Sequence, residues 1–354
     1  MTESKIHANI VFSQQSVKEL ALLVEKYPEG KVFLLTESHA AGFCLPAVAE
    51  LLERKNIRKM EIEPGEENKS IRSVEKVWQF LSENGADRKS LLINLGGGML
   101  TDLGGFAAST FKRGLDFVNI PTTLLAQVDA SLGGKTGFNF NGLKNEIGVF
   151  QEPVAVLIDT TFLKTIDRSN FLSGYAEMIK HGLIKSREHW DELQHFDFES
   201  VDYAALQQMI AHSVAVKEWF VMNDPTEKNI RKALNLGHTA GHAFESYAMK
   251  IGRPMLHGYA VVYGIIVELF LSAKKCGFDA ALLEQISRWL IDLYGKFDIA
   301  ESDFDALFEL MTHDKKNEAG RINFTLIPEI GQFAIDQHCN KNEVFEALSF
   351  YRSL

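Results

Sequence analysis

Cysteine is nearly missing from this chain of 354 residues: Cys44, Cys276 and Cys339 are its only three, an odd and scattered set. That argues against a disulfide-stapled scaffold or a cysteine-paired zinc motif, gives each thiol the role of a small core hydrophobe, and predicts a reducing cytoplasm. Long apolar runs are missing too. The longest, 259–273, is interrupted by Glu268 and is too short to span a bilayer. The first residues, MTESKIH, carry charges and no apolar stretch, so no secretory signal is expected. Excess positive charge is also lacking. A net charge of −10 argues against nucleic acid as a partner, while leaving room for local basic pockets that hold anionic metabolites.

What is present is an ordinary globular composition, 46% hydrophobic and 24% charged, in a chain long enough for about two domains. Short β-rich runs at 31–36, 59–63, 90–95, 116–120 and 154–159 alternate with helical patterns such as 17–27 and 71–83. Such alternation predicts a parallel α/β sheet with ligands at the strand C-terminal ends. After about residue 166 the strand signal almost stops. Helical stretches then follow one another to about Met311, with one short β-like run at 321–327 and a final helix near 341–351. The change of period predicts a first, α/β domain over 1–165 and a second, mainly α-helical domain over 166–354.

The densest chemistry lies in NLGHTAGH, 235–242, which sets His238 and His242 four residues apart on one helix face, with His257 fifteen residues further on. Upstream, Glu177 and Lys180 are neighbours at i, i+3 on an apolar helix. A packed or solvated histidine pair is the commoner outcome of such spacing. Glu177 gains weight from its apolar surroundings, where a carboxylate needs a cation. A peptide-hydrolysing zinc helix carries glutamate directly after its first histidine, and Thr239 stands there, so a metal here serves other chemistry.

Glycine turns supply the second signal. The run 90–95 leads into Gly96, Gly97 and Gly98 and then a helical pattern, an order that brings backbone close to a pyrophosphate, although the spacing is not GxGxxG and a plain tight turn explains the glycines equally well. The turn 120–136, IPTTLLAQVDASLGGKT, crowds hydroxyls, Asp129, Ser131 and Lys135 beside glycine, as an anionic ligand requires. It lacks the Walker spacing, so ATP is not implied.

Taken together, PGEENK at 64–69, GGGMLTD at 96–102, IPTTLLAQVDASLGGKTG at 120–137, Lys144-Asn145, AEMIK at 176–180, RKALNLGHTAGHAFE at 231–245, His257-Gly258 and DKK at 314–316 make the chain similar to the 3-dehydroquinate synthases of the sugar phosphate cyclase superfamily. The resemblance covers about residues 30–330. It implies a Rossmann-like domain holding NAD, an α-helical domain holding zinc, or cobalt in its place, and a homodimer. The zinc ligands it implies are Glu177, His238 and His257, with His242 on the substrate side. NAD-contacting positions are matched by Glu66, Lys69, Gly97, Gly98, Met99, Asp102, Thr122, Thr123, Lys135, Lys144 and Thr165. The chain departs from the family pattern at Glu37 and His39, and again at Asp167 and Asn170.

Positions implied for substrate are Asp129, Lys135, Asn145, Lys180, Lys217, Arg231, Asn235, His242, Lys315 and Lys316, with Arg113 reaching a phosphate across the dimer. Arginine and lysine suit carboxylate and phosphate, and Asn and Asp suit hydroxyls. The activity implied is a carbon–oxygen lyase step of the shikimate pathway, which leads to aromatic amino acids. It converts 3-deoxy-D-arabino-heptulosonate 7-phosphate to 3-dehydroquinate and phosphate by transient NAD oxidation, β-elimination, re-reduction, ring opening and an intramolecular aldol. Alternatives of the same fold are cyclases making 2-deoxy-scyllo-inosose or an epi-valiolone, and metal-dependent alcohol or glycerol dehydrogenases. A non-catalytic NAD-binding protein would not need the retained Glu177, Lys180, Arg231, Asn235, His238 and His257.

Overall fold

The computed structural model describes residues 9–12, 16–141, 143–312 and 322–354, and the chain divides into two compact units. The first runs to Asp167 and takes in Asp202–Ala211; the second comprises Arg168–Val201 and His212–Leu354.

The first unit begins β1 (Asn9–Phe12), α1 (Ser16–Val24), β2 (Val32–Glu37), α2 (Ser38–Phe43), α3 (Ala49–Arg54), β3 (Arg58–Ile62) and α4 (Ile71–Glu83). It continues through β4 (Leu91–Gly96), α5 (Gly98–Thr110), β5 (Asp116–Pro121), the antiparallel hairpin β6 (Lys135–Phe140) and β7 (Leu143–Phe150), and β8 (Ala155–Ile158). Among the described residues, six strands form one parallel sheet in the order β1-β8-β5-β4-β2-β3. Its inner strands β2 and β4 are buried along their whole length, because both faces are covered. Alternate residues part to opposite sides. Leu34, Ile93 and Val118 pack with Leu20 and Val24 of α1, whereas Phe33, Leu35 and Leu92 pack with Val74, Val77 and Leu81 of α4.

From β2 the chain steps outward to β3, then crosses back to β4 and on to β5 and β8, so the strand order reverses between β2 and β4. The carboxyl ends of strands at such a reversal are where open α/β sheets bind ligands. At the end of β2, the Glu37 carboxylate accepts the backbone N–H groups of His39 at 2.7 Å and Ala40 at 2.8 Å, which caps α2. Sequence periodicity missed β1 and the β6–β7 hairpin.

The second unit is mainly helical: α6 (Arg168–Lys185), α7 (Arg187–Gln194), the part of α8 (Tyr203–Asn223) from His212 onward, α9 (His238–Lys250), α10 (His257–Cys276), α11 (Ala280–Tyr294) and α12 (Phe304–Thr312). An antiparallel pair, β9 (Asn323–Leu326) and β10 (Ala334–His338), precedes α13 (Lys341–Ser353). The expected run at 321–327 supplies β9, while β10 went unread. Helix α10 is the hub, packing against α6, α9, α11 and α13. No helix of the described residues is long and apolar enough to cross a membrane.

Candidate metal centre and nucleotide turn

Helix α6 is buried on every side over 171–184, so Glu177 and Lys180 are both shut away from water, with side chains 0% and 2% exposed. A lone carboxylate in that setting is costly. Lys180 Nζ ion-pairs with Glu177 Oε2. The other oxygen, Oε1, lies 3.6 Å from His238 Nε2 and 3.3 Å from His257 Nε2.

These histidines are the first residues of α9 and α10, and backbone contact fixes their separation. A side chain on Gly264 of α10 would collide with the Gly237 carbonyl oxygen, and one on Gly258 would collide with the Ser173 carbonyl oxygen of α6. Only glycine permits that approach. Gly258 N also donates to Ser173 Oγ at 3.0 Å. From further along α10, the Glu268 carboxylate accepts Gly237 N at 2.6 Å and Ala240 N at 3.2 Å, capping the start of α9.

The far nitrogens of both rings also face acceptors. His238 Nδ1 is 3.1 Å from the Leu236 carbonyl oxygen and His257 Nδ1 is 3.8 Å from Glu245 Oε2. Partners of this kind set the tautomer and aim of a metal-binding imidazole. Burial pulls the His257 pKa down, but hydrogen bonds and charge from Glu177 and Glu245 outweigh it and push the value up to about 9. The pocket favours a cation. One carboxylate oxygen and two imidazole nitrogens, all within 4.8 Å of one another, suit a divalent ion of zinc type with positions left open. The His242 ring lies 5.4 Å from His238 and 6.1 Å from His257 by centroid and stands outside that group of three.

Lys217 and Arg231 are buried cations of the same unit. Arg231 lies on the turn Ile230–Asn235, its Nη1 donating to the Pro225 carbonyl at 2.8 Å. Asp224 organises the approach to that turn by accepting Lys228 N, Asn229 N and Arg231 N at 3.0, 2.6 and 3.1 Å. Burial alone would raise the Asp224 carboxyl, yet these three donors and the Arg231 charge hold it below the ordinary range. Asn235 donates to Glu227 Oε1 at 3.1 Å. Lys315 and Lys316 lie outside the described residues.

In the first unit, Gly97 links β4 to α5, Gly98 opens the helix and Met99 follows in its first turn, where backbone N–H groups have no helical acceptor. Asp102, further along α5, pairs with the buried Lys69 Nζ at 2.5 Å, and Lys69 also reaches Asn145 Oδ1. Asn139 ties the group together, donating to Glu66 Oε1 at 2.9 Å while its own Oδ1 accepts Asn145 N at 2.9 Å. Thr122 and Thr123 follow β5, whose Pro121 is in register with Gly96. A side chain on Gly97 would come within 3.2 Å of Thr123 Cγ2.

The structure therefore joins Glu66, Lys69, Asp102 and Asn145 in one network, with Gly97 against Thr123. Lys135 and Lys144 are exposed on the β6–β7 hairpin, and Thr165 is exposed at the end of the turn Thr160–Thr165. Asp129 sits half-buried on the π-helical turn Ala126–Ala130, and Arg113 is exposed with a left-handed φ of 72°. Sequence reasoning gave no role to Asn139, Asp224, Glu245 or Glu268. A signal existed for Glu268, the one carboxylate inside the apolar run 259–273.

A family model described as 3-dehydroquinate synthase N-terminal matches residues 59–173, and one described as 3-dehydroquinate synthase C-terminal matches residues 174–317. A 3-dehydroquinate synthase from Parabacteroides distasonis is 48% identical over 352 residues, 99% of each chain. The chain belongs to the 3-dehydroquinate synthase family.

Of the residues above, those from Glu66 to Thr165 fall within the N-terminal family match, and those from Glu177 to Lys316 fall within the C-terminal one. Solved structures share the fold at lower identity. A 2-epi-5-epi-valiolone synthase from Streptomyces hygroscopicus, with NAD+ and Zn2+ bound, has a TM-score of 0.87 and 23% identity over 100% of this chain and 99% of that one. A 2-deoxy-scyllo-inosose synthase complexed with carbaglucose-6-phosphate, NAD+ and Co2+ has a TM-score of 0.84 and 21% identity over 98% and 96%.

Proposed function

We propose that the protein converts 3-deoxy-D-arabino-heptulosonate 7-phosphate to 3-dehydroquinate and phosphate, a carbon–oxygen lyase step of the shikimate pathway. The observation that carries this reading is the meeting of Glu177 Oε1 with the Nε2 atoms of His238 and His257, in a chain matching a 3-dehydroquinate synthase from end to end. Glu177, His238 and His257 hold zinc, or cobalt in its place. The first unit, through the turn at Gly97, Gly98 and Met99 and the residues Glu66, Lys69, Asp102, Thr122, Thr123, Lys144 and Thr165, holds NAD. When bound, the metal supplies Lewis acidity toward substrate hydroxyls and NAD supplies a reversible oxidant.

The chain's own residues bind, orient and keep charge in place. Lys180 pairs with one oxygen of Glu177 and leaves the other to the histidines. Lys217, Arg231 and the Lys315-Lys316 pair offer cations for the carboxylate and phosphate of the substrate, with Arg113 of a second copy added in a homodimer. Asp129, Asn145 and Asn235 supply hydroxyl partners, Lys135 a further charge, and His242 a ring beside the metal ligands. Exposed Phe140, Ile147, Val149 and Phe150 on the β6–β7 hairpin support self-association. Free cysteines suit the cytoplasm.

Substrate choice tests the proposal. The purified protein, given NAD and zinc, turns over the heptulosonate phosphate and leaves glucose 6-phosphate and sedoheptulose 7-phosphate untouched. Cyclisation of either of those, with no dehydroquinate from the heptulosonate, would place it with the other cyclases.

A further inference from the structure

Away from the Glu177 centre, the second unit contains another carboxylate with two imidazoles. His189 and Glu192 lie one turn apart on α7, and His212 comes across from α8. Glu192 Oε2 is 3.1 Å from His189 Nδ1 and 3.0 Å from His212 Nδ1, and the three candidate ligand atoms lie within 4.8 Å of one another. These separations are somewhat shorter than the 3.3 and 3.6 Å of the Glu177 centre. They also approach the roughly 3.4 Å between donors that tetrahedral bonds of about 2.0–2.1 Å require.

His189 is the anchor. Its side chain is 2% exposed, and its Nε2 lies 2.8 Å from Ser213 Oγ, next in sequence to His212. In the ion-free protein Nδ1 is at hydrogen-bond distance from Glu192; when an ion takes the place of that proton, an Nε2–H donated to the Ser213 hydroxyl leaves the Nδ1 lone pair to bind it, the arrangement that orients a metal-ligating imidazole. Burial outweighs the pull of Glu192 and holds the His189 pKa below the ordinary histidine value. The triple Ser213, His189, Glu192 has the order of a nucleophilic relay, but Ser213 is fully buried and out of a substrate's reach. Its hydroxyl serves the imidazole instead.

Glu192 and His212 complete the set from the solvent side, with side chains 34% and 59% exposed. They line, with His189, Ser186 and Glu188, a recess of about 530 Å³ that gives an ion a path in and leaves room for water as further ligands. We propose that His189, Glu192 and His212 form a second site, for a divalent transition-metal ion that prefers nitrogen and oxygen donors, such as zinc, cobalt or nickel. The ion clasps α7 to α8 and takes no part in the lyase chemistry.

The test compares variants after chelator treatment and equilibrium dialysis against Zn2+ or Co2+. Wild-type protein takes up one more ion per chain than His212→Ala, which still forms dehydroquinate at the wild-type rate. To remove the Glu177 centre from the count, Glu177→Ala is set beside the double variant Glu177→Ala/His212→Ala. The single variant keeps an ion that the double variant lacks, and zinc raises the Tm of the single variant only. Glu192→Gln, which keeps the shape of the side chain, weakens the same ion at least 10-fold. Equal metal content and equal Tm response in Glu177→Ala and the double variant would overturn the proposal, whatever the lyase assay gives.

Discussion

The two oxygens of Glu177 serve different partners: Oε2 is tied to the Lys180 ammonium, and Oε1 is left to His238 and His257. With no metal bound, the His257 proton meets part of the site's demand for positive charge. The folded imidazole holds that proton up to about pH 9 against an ordinary 6.5, so it favours the folded metal-free protein below 6.5, and that contribution is lost as the pH rises through about 9. An incoming metal must displace the proton. Zinc binding to metal-free protein therefore releases a proton and tightens, by up to about tenfold per pH unit, from 6.5 toward 9, as titrations at several pH values in two buffers of different ionisation heat will show. Affinity independent of pH across that window would mean that His257 is not a ligand. Metal content gives a second check. His257→Ala loses the ion, whereas His242→Ala impairs turnover and keeps it. The reverse pattern would exchange their roles.

At the scale of elements, the centre depends on how closely three helices approach. Glu268 belongs to α10 but caps α9, so it couples the helix that starts with His257 to the one that starts with His238. Glu268→Gln removes the charge from two buried hydrogen bonds, costs roughly 1–3 kcal/mol in urea unfolding, and weakens zinc about 10- to 100-fold by letting His238 move. Unchanged zinc affinity in a destabilised variant would limit Glu268 to a structural role. Neither Glu268 nor Glu245 was legible as part of the site, because both act across a helix crossing that spacing along one helix does not encode. The histidines were legible as a group, but Glu177 lies 61 residues before His238, and only the family resemblance joined them. The inner parallel strands were readable because burial on both faces makes them apolar runs, as in 32–36 and 91–95, whereas the edge strand β1, only partly buried, was missed. The β6–β7 hairpin was not, since Gly137, Asn139 and Gly148 break its alternation and β7 is largely exposed.

For the whole molecule, the question is whether a parallel-sheet unit with a candidate nucleotide turn and a helical unit with a candidate metal centre serve a lyase or an oxidoreductase. The fold does not decide it, because shared folds host different chemistry. Full-length identity of 48% to a 3-dehydroquinate synthase favours the lyase. The two differ in the fate of the oxidant, which a lyase of this family regenerates in every cycle and a dehydrogenase consumes. The most direct measurement follows phosphate, dehydroquinate and absorbance at the NADH band together, with NAD far below the heptulosonate phosphate. A lyase gives equal amounts of phosphate and dehydroquinate, many turnovers per NAD and no build-up of NADH; NADH accumulating in step with substrate loss, without dehydroquinate, would make the protein a dehydrogenase instead.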